Sequence, residues 1–419
     1  MGALQPKSNL ICHRIIGIIV AVLLLAGGMV SGMQKRLDPE TGRLRLLYIG
    51  SPFWGTKPGL IFLSDPKIKP TLIPAITVWW GEGGMYGNTQ EDIDRAMRVY
   101  FPRTYDELVS RYDMVQLSGC DENVISGAWQ VHFTRAVKEG GMGLAMTDGY
   151  RGFGGGPQAH STWEGSYLDV NLLPTNSLTQ KFVTGPMWVR VLEENTLTRS
   201  LPFESAPPLM EINQVTLKEG CKLVMEVRPQ KEPLLAYWDV GNGRALSFTC
   251  DLHGFYKGSG IWQDRWTYWI DFVLNLDYFV VGMECPDDPV MMHTIRASFQ
   301  SYSTRLALIG DFLSFIENFG ASTKEVDEKL KAVKAAKKEV DSRYLQEDYP
   351  GALEWIEKLE EEFSAAERAA MEAKSRALLW VYLIEYMSVS GALMVAGVAI
   401  WSLMVRRRLY RAVGTTRRS

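Results

Sequence analysis

The spacing of apolar and polar positions divides this chain into three regimes. Ile15 to Met33 (IIGIIVAVLLLAGGMVSGM) run without a charge, behind Lys7 and Arg14. A run of that length predicts a signal peptide or a first membrane helix within residues 1–34, and Val30 and Gly32 offer a small-residue cleavage site. From Arg43 the apolar runs become short. RLRLLYIG (43–50), TLIPAITVWW (71–80), YDMVQLSG (112–119) and MGLAMTDG (142–149) read as buried strands, with a helical turn over Tyr105 to Arg111. Residues 124–139 repeat apolar positions at helical spacing, and Gly140 and Gly141 stop that helix. Strand–helix–strand units with short loops predict an α/β fold, a doubly wound, flavodoxin-like, mostly parallel sheet. Its ligand crevice would lie at the carboxyl ends of the strands.

After Pro186 the pattern changes to MWVRVLE (187–193), CKLVMEV (221–227), LLAYWDV (234–240) and RALSFTC (244–250), all strand-like, with GNG (241–243) as a two-strand turn. An amphipathic helix over 264–276 closes a domain spanning 43–282. Long helices then take over. TRLALIGDFLSFIENF (304–319) is strongly apolar. Val326, Leu330, Val333, Val340 and Tyr344 form one seam, and Leu353, Ile356, Leu359, Phe363, Ala366 and Ala370 form a matching one beyond the turn at Tyr349–Pro350–Gly351. The two seams predict an α-helical hairpin stalk within 289–377, either a self-contained spacer or an arm that binds a protein partner or a second copy of the chain.

Residues 378–405 form a second apolar run, interrupted only by Glu385, which predicts a C-terminal transmembrane helix. No Pro or Gly falls between Ala352 and Ser390, so the stalk helix should enter the bilayer as one rod. Arg406, Arg407, Arg408, Arg411, Arg417 and Arg418 crowd the basic tail 406–419. By the positive-inside rule the tail should be cytoplasmic, and the bulk of the chain should lie outside a cell membrane, extracellular or periplasmic. The partners this implies are the lipid bilayer and a protein bound through the stalk or the membrane helix.

Composition narrows the chemistry. Apolar residues are 46% of the 419, which excludes wholesale disorder. Lys and Arg number 45 against 48 Asp and Glu, so no basic field attracts nucleic acid. The five Cys and five His include no CxxC and no HxxxH, so neither a metal site nor a cofactor is expected. Cys120, Cys221, Cys250 and Cys285 fall in the exported region. They could form two disulfides in any of three pairings, or remain free thiols. Two Gly clusters, GEGGMYG (81–87) and GYRGFGGG (149–156), follow strands, but neither has the GxxxxGK[ST] or GxGxxG spacing of a phosphate cradle. The second then reads as a flexible loop at the sheet edge.

A more specific signal lies in YDMVQLSGCDEN, AVKEGGMGLAMTDGYRGFGGG and TWEGSYLDVNLLPTN, with VGNGRALSFTCDLHGFYKGSGIWQDRWTYW (240–269) further on. Residues 43–282 resemble the class I glutamine amidotransferase-like family, and within it a membrane-associated branch. Active members carry a Cys nucleophile on a sharp strand-to-helix elbow, deprotonated by a His on a later strand. Here the matching elbow is Thr147–Asp148–Gly149–Tyr150–Arg151, which has no Cys. Cys120 lies one strand earlier, and the later strand ends Cys250–Asp251–Leu252–His253. The resemblance therefore implies the fold without its amidotransferase reaction.

At that edge the candidate ligand-binding residues are Cys120, Asp121, Gly149, Tyr150 and Arg151, and the candidate acid–base groups are Asp148, Asp251 and His253. They could bind a polar ligand, run hydrolysis, or hold the loops by hydrogen bonds. His160 reads as a surface-loop residue and His132 as a packed helix residue. Two functions follow: a non-catalytic binding or assembly subunit on a membrane anchor, or an anchored hydrolase or transferase for a polar, carbohydrate-like substrate using Asp148, Asp251 and His253.

Overall fold

The computed structural model describes residues 35–52, 57–75, 90–147, 151–155, 162–252, 265–318 and 322–416. Two compact units divide the chain at Arg296 and Ala297. The first N-terminal apolar run lies outside the described residues, as do Asp148, Gly149, Tyr150, His160 and His253.

In the first unit, β1 (Leu44–Gly50), α1 (Pro58–Ser64), β2 (Ile68–Pro74), α2 (Gln90–Tyr100), α3 (Tyr105–Arg111), β3 (Met114–Ser118), α4 (Gly127–Lys138) and β4 (Gly143–Thr147) alternate. Strands β1, β3 and β4 have both faces covered, so no polar alternation was needed for them to fold, while edge strand β2 is only partly buried. Thr104 starts α3 by accepting a hydrogen bond from the Glu107 amide at 3.1 Å, a cap that contributes about 1 kcal/mol. Asp113, fully buried before β3, accepts from the Arg45 side chain at 2.9 and 2.6 Å and its backbone amide at 3.0 Å. That contact fastens β1 to β3.

Beyond the one-turn helix α5 (Tyr167–Asn171) the chain turns antiparallel. Strands β5 (Thr175–Val191), β6 (Leu209–Leu217), β7 (Lys222–Arg228), β8 (Glu232–Val240) and β9 (Gly243–Phe248) precede helix α6 (Trp269–Val280). The nine strands lie in the order β2-β1-β3-β4-β9-β8-β7-β5-β6. Pairs β1/β2, β1/β3, β3/β4 and β4/β9 are parallel, while β8/β9, β7/β8, β5/β7 and β5/β6 are antiparallel. The sheet is thus mixed, which corrects the expected mostly parallel, flavodoxin-like arrangement. The physical reason is connection length. β7, β8 and β9 follow one another through turns of a few residues, and only a crossover of a dozen or more allows parallel neighbours.

Two apolar layers cover the sheet. Ile61 and Phe62 of α1 and Phe272, Val273, Leu276 and Val280 of α6 pack on one face. Leu108 of α3, Phe133 and Val137 of α4 and Leu168 of α5 pack on the other. Helix α6 begins later than its pattern predicted and is buried all round, including Asp271, Asn275 and Asp277.

The second unit takes most of α7 (Pro289–Asn318), then α8 (Lys324–Leu345) and α9 (Tyr349–Thr416). The predicted seams meet: Val326, Val333, Val340 and Tyr344 are buried against Ile356, Leu359, Phe363, Ala366 and Ala370. The arrangement is a bundle of three helices, because α7 adds Phe299 edge-on to Tyr344 at 5.0 Å and Tyr302 to Phe363 at 5.4 Å. Arg305 reaches Glu360 at 2.5 Å and Glu367 at 2.7 Å. Helix α9 runs unbroken for 68 residues, about 100 Å at about 1.5 Å per residue. Its stretch from Leu379 to Tyr410 leaves large apolar side chains exposed, and among the described helices only this one is long and apolar enough to cross a membrane.

Candidate functional site

Strands β3, β4 and β9 are parallel neighbours, so their carboxyl ends bring the chain after Ser118, Thr147 and Phe248 to one edge. There Cys120 is buried, its Sγ donating to the Asp121 carbonyl at 3.6 Å, while its own carbonyl accepts from Trp163 Nε1 at 2.9 Å. Arg151, following β4, forms an ion pair with Asp121. Both side chains are mostly buried, so the pair is shielded from water more than a surface bridge is. The thiol therefore points into packing, and the one described cation of the predicted set faces the carboxylate beside it.

The Gly-rich segment is anchored where it is described, which corrects its reading as a flexible edge loop. Phe153 is fully buried at positive φ, and its carbonyl accepts from the Trp163 amide at 2.7 Å. A Cβ on Gly154 would stand 1.8 Å from the Leu178 carbonyl oxygen, so only glycine permits that approach.

On the β9 side, Cys250 is buried with its Sγ on the Glu211 carbonyl at 3.6 Å. Glu211, on β6, was absent from the residues picked out in the sequence. Burial first, and the Asp251 charge second, hold its carboxyl above the usual glutamate range. Two residues along the same strand, Asn213 is fully buried, and its side-chain amide has no protein partner among the described residues. The signal was the alternation in LMEINQVTL, masked by Pro207 and Pro208 immediately before it. The structure brings together Cys120, Asp121 and Arg151 as one group, and Asp251 with Glu211 as another. Asp148, Gly149, Tyr150 and His253 fall outside the described residues.

Cys120, Cys221, Cys250 and Cys285 are all free thiols, so none of the three disulfide pairings forms. Burial pushes the Cys285 thiol up to about 12, which keeps it protonated and unreactive. His132 packs between Tyr105 at 5.8 Å and Trp129 at 5.1 Å, as a helix-borne core His would. Among the described residues no cluster of three His, Cys, Asp or Glu side chains could hold a metal.

No known protein family and no curated protein matches the chain by sequence. Solved structures similar to it include two cytoplasmic proteins of Salmonella typhimurium. One is 19% identical and covers 57% of this chain and 99% of its own, with a TM-score of 0.45. The other is 18% identical over the same shares, with a TM-score of 0.44. A ThuA-like protein from Parabacteroides merdae is 12% identical, covers 58% of this chain and 92% of its own, and has a TM-score of 0.33. At these values the likenesses carry no conclusion about activity. The expected placement of the bulk of the chain outside the cell is withdrawn: it rested on membrane spans, and the single apolar helix among the described residues is a weak indicator of one.

Proposed function

We propose that this chain is a membrane-anchored module whose amidotransferase-like α/β unit binds or assembles with a partner and carries out no amidotransferase reaction. The observation that supports this reading most directly is the Asp121–Arg151 ion pair beside a buried Cys120, in a site whose elbow has no nucleophile. An amidotransferase needs an exposed thiolate with a base in reach. The anchor in this reading is α9 between Leu378 and Val405. Trp380, Tyr382 and Tyr386 lie toward one end and Trp401 and Tyr410 toward the other, the positions where aromatic side chains settle at a bilayer surface.

The anchor is tested by alkaline carbonate extraction of membranes carrying the full chain. The wild type should stay in the pellet. Leu393→Arg, which adds about 3 kcal/mol to insertion at a helix centre, should shift much of the chain to the supernatant. Equal release of both forms would refute the anchor. The binding role is tested with Asp148→Ala, Asp251→Ala and His253→Ala introduced together. A complex isolated in mild detergent should survive the triple replacement unchanged.

Glu211 beside Asp251 favours a second reading, an anchored hydrolase for a polar substrate. A carboxyl held above the usual glutamate range by burial, and by the charge of a second carboxylate, can serve as a proton donor. Loss of a hydrolytic activity in Glu211→Gln and in Asp251→Asn, with the complex intact, would favour it over the binding role.

A further inference from the structure

Four fully buried polar side chains on one face of the central sheet have no protein hydrogen-bond partner among the described residues: Gln116, Ser118, Thr147 and Asp277. Their common placement follows from strand alternation. Val115 and Leu117 of β3 pack with Phe133 and Leu144, so Gln116 and Ser118 point to the opposite face, where Met114 meets Phe272. Across the parallel ladder Gln116 pairs with Ala145 and Ser118 with Thr147, and Ala145 packs on that same face. Helix α6 covers it. A Cβ on Gly143 would lie 2.6 Å from Val280 Cγ1, which sets the end of α6 over the start of β4. Asp277 is three residues before Val280 and shares its stripe toward the strand.

A buried polar group without a partner costs its full desolvation, and four in one layer cannot be charged to a single packing flaw. Each of the four can both donate and accept. Amide and hydroxyls do so by nature, and burial holds the Asp277 carboxyl well above the usual carboxylate range, in its neutral donating form. A guest complementary to such a set is neutral and itself donates and accepts, which describes a hydroxyl group. We propose that Gln116, Ser118, Thr147 and Asp277 line an enclosed site, between α6 and strands β3 and β4, that holds a small neutral hydroxyl-bearing guest. Water is the smallest such guest and a polyol or monosaccharide the next. The site is separate from the Asp121–Arg151 group and stands whether the edge binds or catalyses.

The full chain in detergent tests the proposal by two measurements. The first is a crystal structure at a resolution that shows water. The second is saturation-transfer NMR against glucose, galactose and myo-inositol. Density within hydrogen-bond distance of Thr147 Oγ1 and the Gln116 amide is expected. Saturation transfer to one polyol, lost in Gln116→Leu with Thr147→Val and kept in Thr147→Ser, identifies a polyol guest. Density for isolated waters without transfer identifies water. A dry layer overturns the proposal: no density there, and a melting temperature about 2–4 °C higher in Thr147→Val, because removing an unsatisfied hydroxyl would then stabilise the fold.

Discussion

Replacing Arg296 by leucine should destabilise the α/β unit by about 3–5 kcal/mol, the range measured when one partner of a buried charge pair is removed. Arg296 is 1% exposed. Its Nη1 donates to Asp271 Oδ1 at 3.0 Å and its Nη2 to Asn275 Oδ1 at 2.8 Å, while Asp65 Oδ2 lies 3.9 Å from its Nε. The guanidinium also stands 5.5 Å from the Tyr278 ring, whose hydroxyl donates to Asp65 at 2.8 Å. Without Arg296, Asp271 and Asp65 keep their burial and lose the guanidinium, and His293 stands 2.8 Å from Asp271. Arg296→Lys should lose less, because the charge remains while the two-pronged contact to Asp271 and Asn275 is gone. Combining Arg296→Met with Asp271→Asn and Asp65→Asn should recover most of the stability, since the buried carboxylates that faced the cation leave with it. Thermal or urea melts of the full chain in detergent supply the comparison. A single Arg296→Leu variant within about 0.5 kcal/mol of the wild type would contradict the account, since surface substitutions stay in that range.

This cluster also marks where sequence reading reaches its limit. The short strands β1, β3 and β4 were legible because a buried parallel strand is an almost unbroken apolar run, and α4 because Gly140 and Gly141 close it. Helix α9 was legible to its continuity, since no Pro or Gly lies between Ala352 and Ser390 and Ala, Glu, Leu and Lys dominate there. The periodicity of α6 misled for a physical reason. Asp271, Asn275 and Asp277 look like the wet face of an amphipathic helix, yet all three are buried. Asp271 and Asn275 are satisfied by Arg296 and by Ser200, whose hydroxyl accepts from Asn275 at 2.9 Å. Those partners lie tens of residues away in sequence, and no local pattern announces them. The mixed sheet was partly readable, because GNG between β8 and β9 is a hairpin signal that forbids a parallel pair. The candidate site shows the same division. Cys120, Asp121, Arg151 and Asp251 could be picked out because each follows a strand-like run in the sequence. Pairing of Asp121 with Arg151, and of Glu211 with Asp251, depends on loop paths and on a strand the pattern hid.

Asp277→Asn should make the protein more stable than the wild type, by an amount that grows with pH. Burial holds the Asp277 carboxyl well above its ordinary value of 3.8, and it has no protein partner among the described residues to offset that burial. In the unfolded chain the same carboxyl ionises near 3.8. Above that pH the native state keeps a proton that the unfolded state has released, so folding must take one up and wild-type stability falls as pH rises. Asparagine has nearly the same shape, donates and accepts as the neutral acid does, and needs no proton. The two proteins should be similar near pH 4. Above it the gap should widen by about 1.4 kcal/mol per pH unit, the worth of one proton, until pH passes the raised native value. From there it should stay constant, because both states of the wild type are then ionised. Urea melts of the full chain from pH 4.5 to 8.5 would follow the gap directly. Parallel stability curves for the two proteins would mean that Asp277 titrates as it does in water, and would remove the case for a neutral carboxyl beneath α6.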